Sequence, residues 1–342
     1  MTFPKIRSMA WPSVLLAIAA CGHSEPFVTA GVDQQGPFET GTLSRLTLNA
    51  DADYLASWTA DGAGILYTFG DRGRADHDRC LAILPGGGGT RQFTLCDNRP
   101  GHADSAETIA SGALSTDGKL LYLVGASLPS AFVPGRVTLF LADTVTPLNR
   151  QALLSMPLQL GGLSPNWLGD ITWVAPDQFV AMAQENTVVP SCIGCPARDT
   201  VFNQLGVVRG TITSSGATLQ LVAGTEGTRS FSVADNRTSI VFIQGLTISK
   251  VPVAGGAITP IATLPPGIDK RIDDVSCRET VCVVNVYEQV LSPLGSAKPV
   301  YTLLRLTLAG GAVAPLNTTE GIWSNVRLSP ANGDVVLRVG SL

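Results

Sequence analysis

SWTADGAGILYTF at residues 57–69 and GALSTDGKLLYLV at residues 112–124 are two copies of one pattern. A short apolar strand ends on Ser or Thr, an Asp-Gly step follows, and a second apolar strand begins. Glycine accepts the positive φ of a tight turn and aspartate bonds to nearby backbone, so the pattern reads as a β-hairpin. Looser copies lie at ITWVAPDQFVAMA (171–183), SFSVADNRTSIVFI (230–243) and VRLSPANGDVVLRV (326–339). VSCRETVCVVNV (275–286) fills the remaining slot, with its turn at Glu279-Thr280. The turn centres fall near Asp61, Asp117, Asp177, Asp235, Glu279 and Gly333, about 45 to 60 residues apart, the period of a propeller blade with its loops.

Two further strands follow the hairpins, as in TISKVPVAGGAITPIATL (247–264) and YTLLRLTLAGGAVAPLNT (301–318), which are visibly copies of each other. Each blade is then four antiparallel strands, A to D, with the Asp-Gly turn joining A to B and the Gly-Gly turn joining C to D. The expectation is an all-β, six-bladed β-propeller of four-stranded antiparallel blades over residues 41–342. The last repeat supplies only strands A and B, while SRLTLN (44–49) reads as an orphan outer strand. Pairing the two would close the ring and remove two sheet edges that invite aggregation.

The run of an apolar residue, Ser or Thr, a variable residue, Asp-Gly and an apolar strand resembles the repeat of the TolB-like propellers, relatives of the WD-type repeats. Residues 57–69 and 112–124 carry the resemblance best, and Lys250 to Gly256 resembles the third strand and Gly-Gly turn of that family. It covers most of residues 44–340. It implies the fold and little about activity, because such rings serve as docking rings, as enzyme appendages and as catalytic propellers.

Composition agrees with an all-β chain. Apolar residues make up 45% and charged residues 15% of 342, with 36 Gly and 22 Pro, enough to bury a large core punctuated by turns. A net charge of -4 without basic runs gives no footprint for nucleic acid.

The first residues read as an address. Lys5 and Arg7 precede an apolar stretch from Ala10 to Ala20, too short to span a bilayer and typical of a signal peptide over residues 1–20. Ile18-Ala19-Ala20-Cys21 resembles the lipobox of bacterial lipoproteins, which makes Cys21 the lipidated residue and the membrane a partner through that lipid. Gly22 rather than aspartate after the cysteine leans towards the outer membrane, facing the periplasm or the cell surface. Residues 21–40 then form a tether.

Six cysteines remain, in three close pairs, which in an exported chain read as disulfides. Cys80 and Cys96 flank Gly86 to Gly89 almost symmetrically and should face each other across a hairpin. Cys277 and Cys282 enclose a two-residue turn. Cys192 and Cys195 stand as C-x-x-C, but Pro190 and Pro196 suggest a loop without the strand and helix that redox chemistry uses, so a local staple is the preferred reading over a redox or metal site.

No G-x-S-x-G elbow and no phosphate-binding G-x-x-x-x-G-K motif occurs. His23 falls in the tether, leaving His77 and His102 for a folded site. In a propeller the B to C and D to A loops share one face, so Asp71, Asp76, His77, Asp78, Asp97, His102, Asp104 and Glu107 would share a rim. A divalent-metal site there is weighed against a solvated acidic loop, and the loop is preferred. Trp58, Trp167, Trp173 and Trp323 could stack sugars, but packing between blades is the preferred role. No catalytic residue, cofactor or resident metal is assigned. The leading expectation is a lipid-anchored, non-enzymatic ring that binds a protein or polymer. The alternative is a propeller lyase or hydrolase acting on polysaccharide or lactone, with a metal on the loop face.

Overall fold

A computed structural model describes residues 53–70, 79–87, 90–96, 107–126, 137–147, 149–190, 198–291, 295, 297–319, 322–331 and 335–340. Within them the repeat becomes a β-propeller. Blade one comprises β1 (Asp53–Trp58), β2 (Gly64–Gly70), β3 (Arg79–Pro85) and β4 (Phe93–Leu95). Blade two comprises β5 (Glu107–Leu114), β6 (Lys119–Ala126), β7 (Val137–Asp143) and β8 (Gln151–Met156). Blade three comprises β9 (Trp167–Ala175), β10 (Gln178–Pro190), β11 (Arg198–Thr213) and β12 (Gly216–Leu221). Blade four comprises β13 (Phe231–Ala234), β14 (Ser239–Gln244), β15 (Thr247–Pro252) and β16 (Thr259–Thr263). Blade five comprises β17 (Arg271–Arg278), β18 (Val281–Leu291), β19 (Ala297–Thr307) and β20 (Val313–Thr319). Every blade is an antiparallel meander in chain order.

The count of complete blades is five, not the expected six. The sixth position holds a two-stranded sheet of β21 (Ile322–Leu328) and β22 (Val335–Gly340), which packs against β17 and β18 on one side and β1 on the other. The reason for the shortfall is that β22 meets no third strand among the described residues. The expected closing strand, residues 44–49, lies outside them, as do the signal segment, Cys21 and the tether.

The turns work as their chemistry dictates. The Thr59 hydroxyl donates to the Asp61 carboxylate at 2.6 Å and accepts the Gly64 N–H at 2.8 Å, so one side chain closes the hairpin. Ser115 repeats this with Asp117 and the Lys119 N–H. These hydroxyls, with the Ala63 N–H on Asp61 and Lys119 beside Asp117, hold both carboxyls below the usual carboxylate range. Gly310 and Gly311 take φ of 82° and 65° between β19 and β20, where a Cβ on Gly311 would strike the Ile261 carbonyl.

Apolar residues on both faces of each sheet meet the neighbouring blade. Leu66 and Leu81 pack with Ile109 and Tyr122 between blades one and two, and Leu139 with Trp173 and Phe179 between two and three. Val180 and Met182 pack with Phe231 and Phe242 between three and four, and Ile243 and Ile248 with Val284 and Leu306 between four and five. Each buried Leu, Val, Ile or Phe contributes roughly 1.5 to 3 kcal/mol, so the interblade layers are the main source of stability.

Candidate functional site

The innermost strands carry the chemistry. β1, β5, β9, β17 and β21 each slip register against their partner, at Leu55/Ser57, Ile109/Ser111, Gly169/Thr172, Ile272/Asp274 and Ser324/Arg327. A slip of this kind re-aims side chains. Asp170 and Asn325 fall inside two of them and take left-handed φ of 47° and 51°, a conformation Asp and Asn tolerate best after Gly.

Arg327 of β21 joins three sheets. Its guanidinium reaches Asp170 of β9 at 2.6 Å and Asp274 of β17 at 2.8 Å. Asp274 is nearly enclosed, and its second oxygen accepts the Ser230 hydroxyl at 2.6 Å and its neighbour's N–H, Val275, at 3.0 Å. Burial pushes the Asp274 carboxyl above its ordinary range, with Arg327 opposing. Burial alone would pull the Arg327 guanidinium down, but the two carboxylates more than offset this and hold it above its ordinary value.

A second polar group begins at the first residues of β17. Asp273 accepts from Arg271 Nε at 2.8 Å and from Arg229 at 3.2 Å. The Arg271 guanidinium lies 3.6 Å from the centre of the Tyr287 ring, which meets Tyr301 edge-on at 5.2 Å. Burial, then Asp273, raises the Tyr301 hydroxyl. In the first group one arginine bridges two carboxylates and in the second one carboxylate bridges two arginines, ties that join β9, β17 and β21 and link β17 to the segment that enters β13.

Hydrogen bonds between inner strands complete the collar. The Cys277 N–H donates to Ser232, and the Leu328 N–H to Ser276, both at 2.8 Å. The tryptophans join it: the Trp58 indole donates to the Arg327 carbonyl at 3.0 Å and the Trp173 indole to the Ala113 carbonyl at 3.1 Å. Both are packing residues, as the sequence suggested. Trp167 is half-buried, and Gly125 leaves space beside its ring.

Cys80 bonds to Cys96, next to the Leu81↔Leu95 pair of β3 and β4, and Cys277 bonds to Cys282 across the first turn of blade five. Cys192 and Cys195 lie outside the described residues. So do Asp71, Asp76, His77, Asp78, Asp97, His102 and Asp104, with the side chain of Glu107, and the side chain of Trp323. No group of three or more metal-ligating side chains occurs among the described residues.

On the face where B to C connections emerge, two hairpins among the described residues run beyond their own first strands. The β10–β11 ladder runs on to Pro190↔Arg198, whereas β9 follows β10 only to Gln184. The β18–β19 ladder runs on to Leu291↔Ala297, whereas β17 stops at Tyr287. Their ends leave large apolar side chains in water: Phe202 is 57% exposed, Val201 48%, Leu291 55% and Val290 47%. Neither this rim nor the Arg327 group was singled out from sequence. The one available signal for the latter was an ionisable residue within an inner strand, clearest for Asp170 in the mainly apolar β9.

No protein-family model matches the chain, and no curated protein matches its sequence. Among solved structures it is similar to a TolB protein from Agrobacterium tumefaciens, with 12% identity, 87% of this chain and 93% of that one covered, and a TM-score of 0.51. At that identity the likeness shows the propeller fold. Weaker likenesses are to a gluconolactonase from Xanthomonas campestris (15% identity, 85% and 84% covered, TM-score 0.49) and an oligogalacturonate lyase from Vibrio parahaemolyticus (11% identity, 85% and 81% covered, TM-score 0.47).

Proposed function

We propose that this chain is a lipid-anchored envelope propeller that docks a protein or polymer on the face bearing its long B to C hairpins. The observation that carries the reading is the apolar rim of Val201, Phe202, Val290 and Leu291, set on two ladders that outgrow their own blades. Exposed apolar side chains grouped on one face are what a partner covers. The anchor is the lipid on Cys21, which would hold the ring at the outer membrane, facing the periplasm or the cell surface. Residues 44–49 complete the picture by pairing with β22, turning the two-stranded sheet into a sixth blade and closing the ring; deleting 41–50 then yields an aggregating protein, and an unchanged melting curve would remove this closure. The test of docking is chemical crosslinking of the lipidated protein in its native membrane, with Cys21→Ala as control. Capture of one discrete partner that needs the lipid supports the reading, and capture of nothing above the control rejects it.

The second reading, a lyase or hydrolase acting on polysaccharide or lactone, has one observation in its favour. Asp274 is a buried carboxyl raised above its ordinary range beside the partly exposed Asp170, and raised carboxyls serve as general acids. Turnover of gluconolactone or oligogalacturonate that disappears in Asp274→Asn would favour this reading over docking.

A further inference from the structure

We propose that the outer edge of β11, from Thr200 to Gln204, is a strand-addition site for an extended, uncharged, apolar-rich segment of a partner protein; this rests on the docking reading above. Residues 185–190 and 198–204 form a ribbon that neither β9 nor β12 accompanies, since β12 pairs with β11 only from Val208. The direction of its backbone groups follows from one asparagine. The Asn166 N–H donates to the Gln184 carbonyl at 3.0 Å, its side-chain amide donates to the Asn186 carbonyl at 2.9 Å, and its side-chain oxygen accepts the Asn186 N–H at 2.8 Å. Gln184 and Asn186 therefore turn their backbone groups away from β11. Their opposite residues, Gln204 and Phe202, turn theirs away from β10, and the alternation of an antiparallel ladder adds Thr200.

The two edges of the ribbon are thus treated differently. Asn166 caps the inner edge with side-chain and backbone groups that imitate a strand. On the outer edge no described strand meets Thr200, Phe202 or Gln204. Sheets guard exposed edges with lysine, proline or a bulge, yet Thr-Val-Phe-Asn-Gln has no charge and no proline, and the one irregularity, at Leu205, lies at the ribbon's base. Unpaired N–H and C=O groups in a row are satisfied by one kind of partner, another extended chain. Thr200 to Gln204 carry no charge themselves, so a segment that is also uncharged meets them without burying an unpaired charge. Phe202 on one face and Val201 on the other supply a grip for alternate side chains.

The test uses the full chain, immobilised, and a phage-displayed library of random dodecapeptides. Uncharged peptides rich in β-branched and aromatic residues are expected to be retained. Phe202→Pro deletes the outward N–H and leaves the ladder to β10 whole, so it should weaken retention about tenfold more than Phe202→Ala does, which removes only the ring. Amide hydrogen exchange on the wild-type complex provides an independent reading, with new protection expected at Thr200, Phe202 and Gln204. Peptides retained equally by Phe202→Pro, no retained peptide, or protection elsewhere overturns the proposal. A concentration-dependent dimer abolished by Phe202→Pro would assign the edge to a second copy and overturn it as well. If Phe202→Pro still captures the envelope partner at full yield, strand addition falls while docking stands; if neither protein captures a partner, the docking reading itself falls.

Discussion

Replacing Arg327 with methionine keeps most of the side chain's volume and removes its charge, so it isolates what its two ion pairs contribute. The share from Asp170 is small, because that carboxylate is 40% exposed and water can replace the cation, worth about 0 to 1 kcal/mol. Asp274 is different: it is 9% exposed at the side chain and would be left buried with hydroxyl and N–H donors but no cation. Breaking a buried pair from one side costs about 3 to 5 kcal/mol, and that is the expected loss at neutral pH. The sign with pH follows from the raised Asp274 carboxyl. A carboxyl whose folded pKa lies above its unfolded one binds more protons when folded, so stability is greatest below the unfolded value and is lost as pH rises through the folded one. Without Arg327 the rise grows, and the variant should therefore recover part of its deficit as pH falls towards the ordinary carboxylate value. Urea unfolding followed by tryptophan fluorescence suits the assay, since Trp58 is bonded to the Arg327 carbonyl. A loss below about 1 kcal/mol, or one independent of pH, would mean that Asp274 does not depend on Arg327 for its charge.

Other outcomes follow from the same structure. Removing the Cys80–Cys96 bridge by paired serine substitution should cost about 3 kcal/mol and removing Cys277–Cys282 about 2 kcal/mol, because the first closes the longer loop; equal losses on thermal melting would contradict this. Gly210→Val should destabilise by about 1 to 3 kcal/mol, since a Cβ there would overlap the Phe179 ring, and an unchanged urea midpoint would show that the ring moves freely. Thr59→Val should cost about 1 to 3 kcal/mol by orphaning the Gly64 N–H. Asp61 is depressed in the fold, a contribution present above its ordinary pKa and lost as pH falls, so the gap between Thr59→Val and wild type should narrow in acid; a constant gap would contradict the turn chemistry.

How much was legible in advance differs between scaffold and site. The Asp-Gly and Gly-Gly turns are local, each set by two or three adjacent residues, so the hairpins at Asp61, Asp117 and Gly310-Gly311 could be read directly, and with them the spacing of the blades. The two described disulfides were legible for the same reason, since each cysteine lies opposite its partner across one turn. The blade count came out one too high because completeness depends on a pairing between distant segments, and β22 shows no such partner among the described residues. The Arg327 group joins residues 157 and 53 positions apart, and the slips at Gly169/Thr172 and Ser324/Arg327 that aim them leave no mark in an apolar alternation. The rim was hidden for another reason. Nothing in NTVVP or TVFNQ says that β10 and β11 outlast their neighbours, because ladder length is decided by where β9 and β12 stop.

The most direct measurement is photocrosslinking from two faces of the lipidated protein in its native membrane. A photoreactive residue is placed at Leu291, on the hairpin face, and separately at Val145, 87% exposed on a connection between third and fourth strands and hence on the opposite face. One discrete adduct is expected from Leu291 and none from Val145. Capture from Val145 alone, or equally from both positions, would contradict docking on the hairpin face.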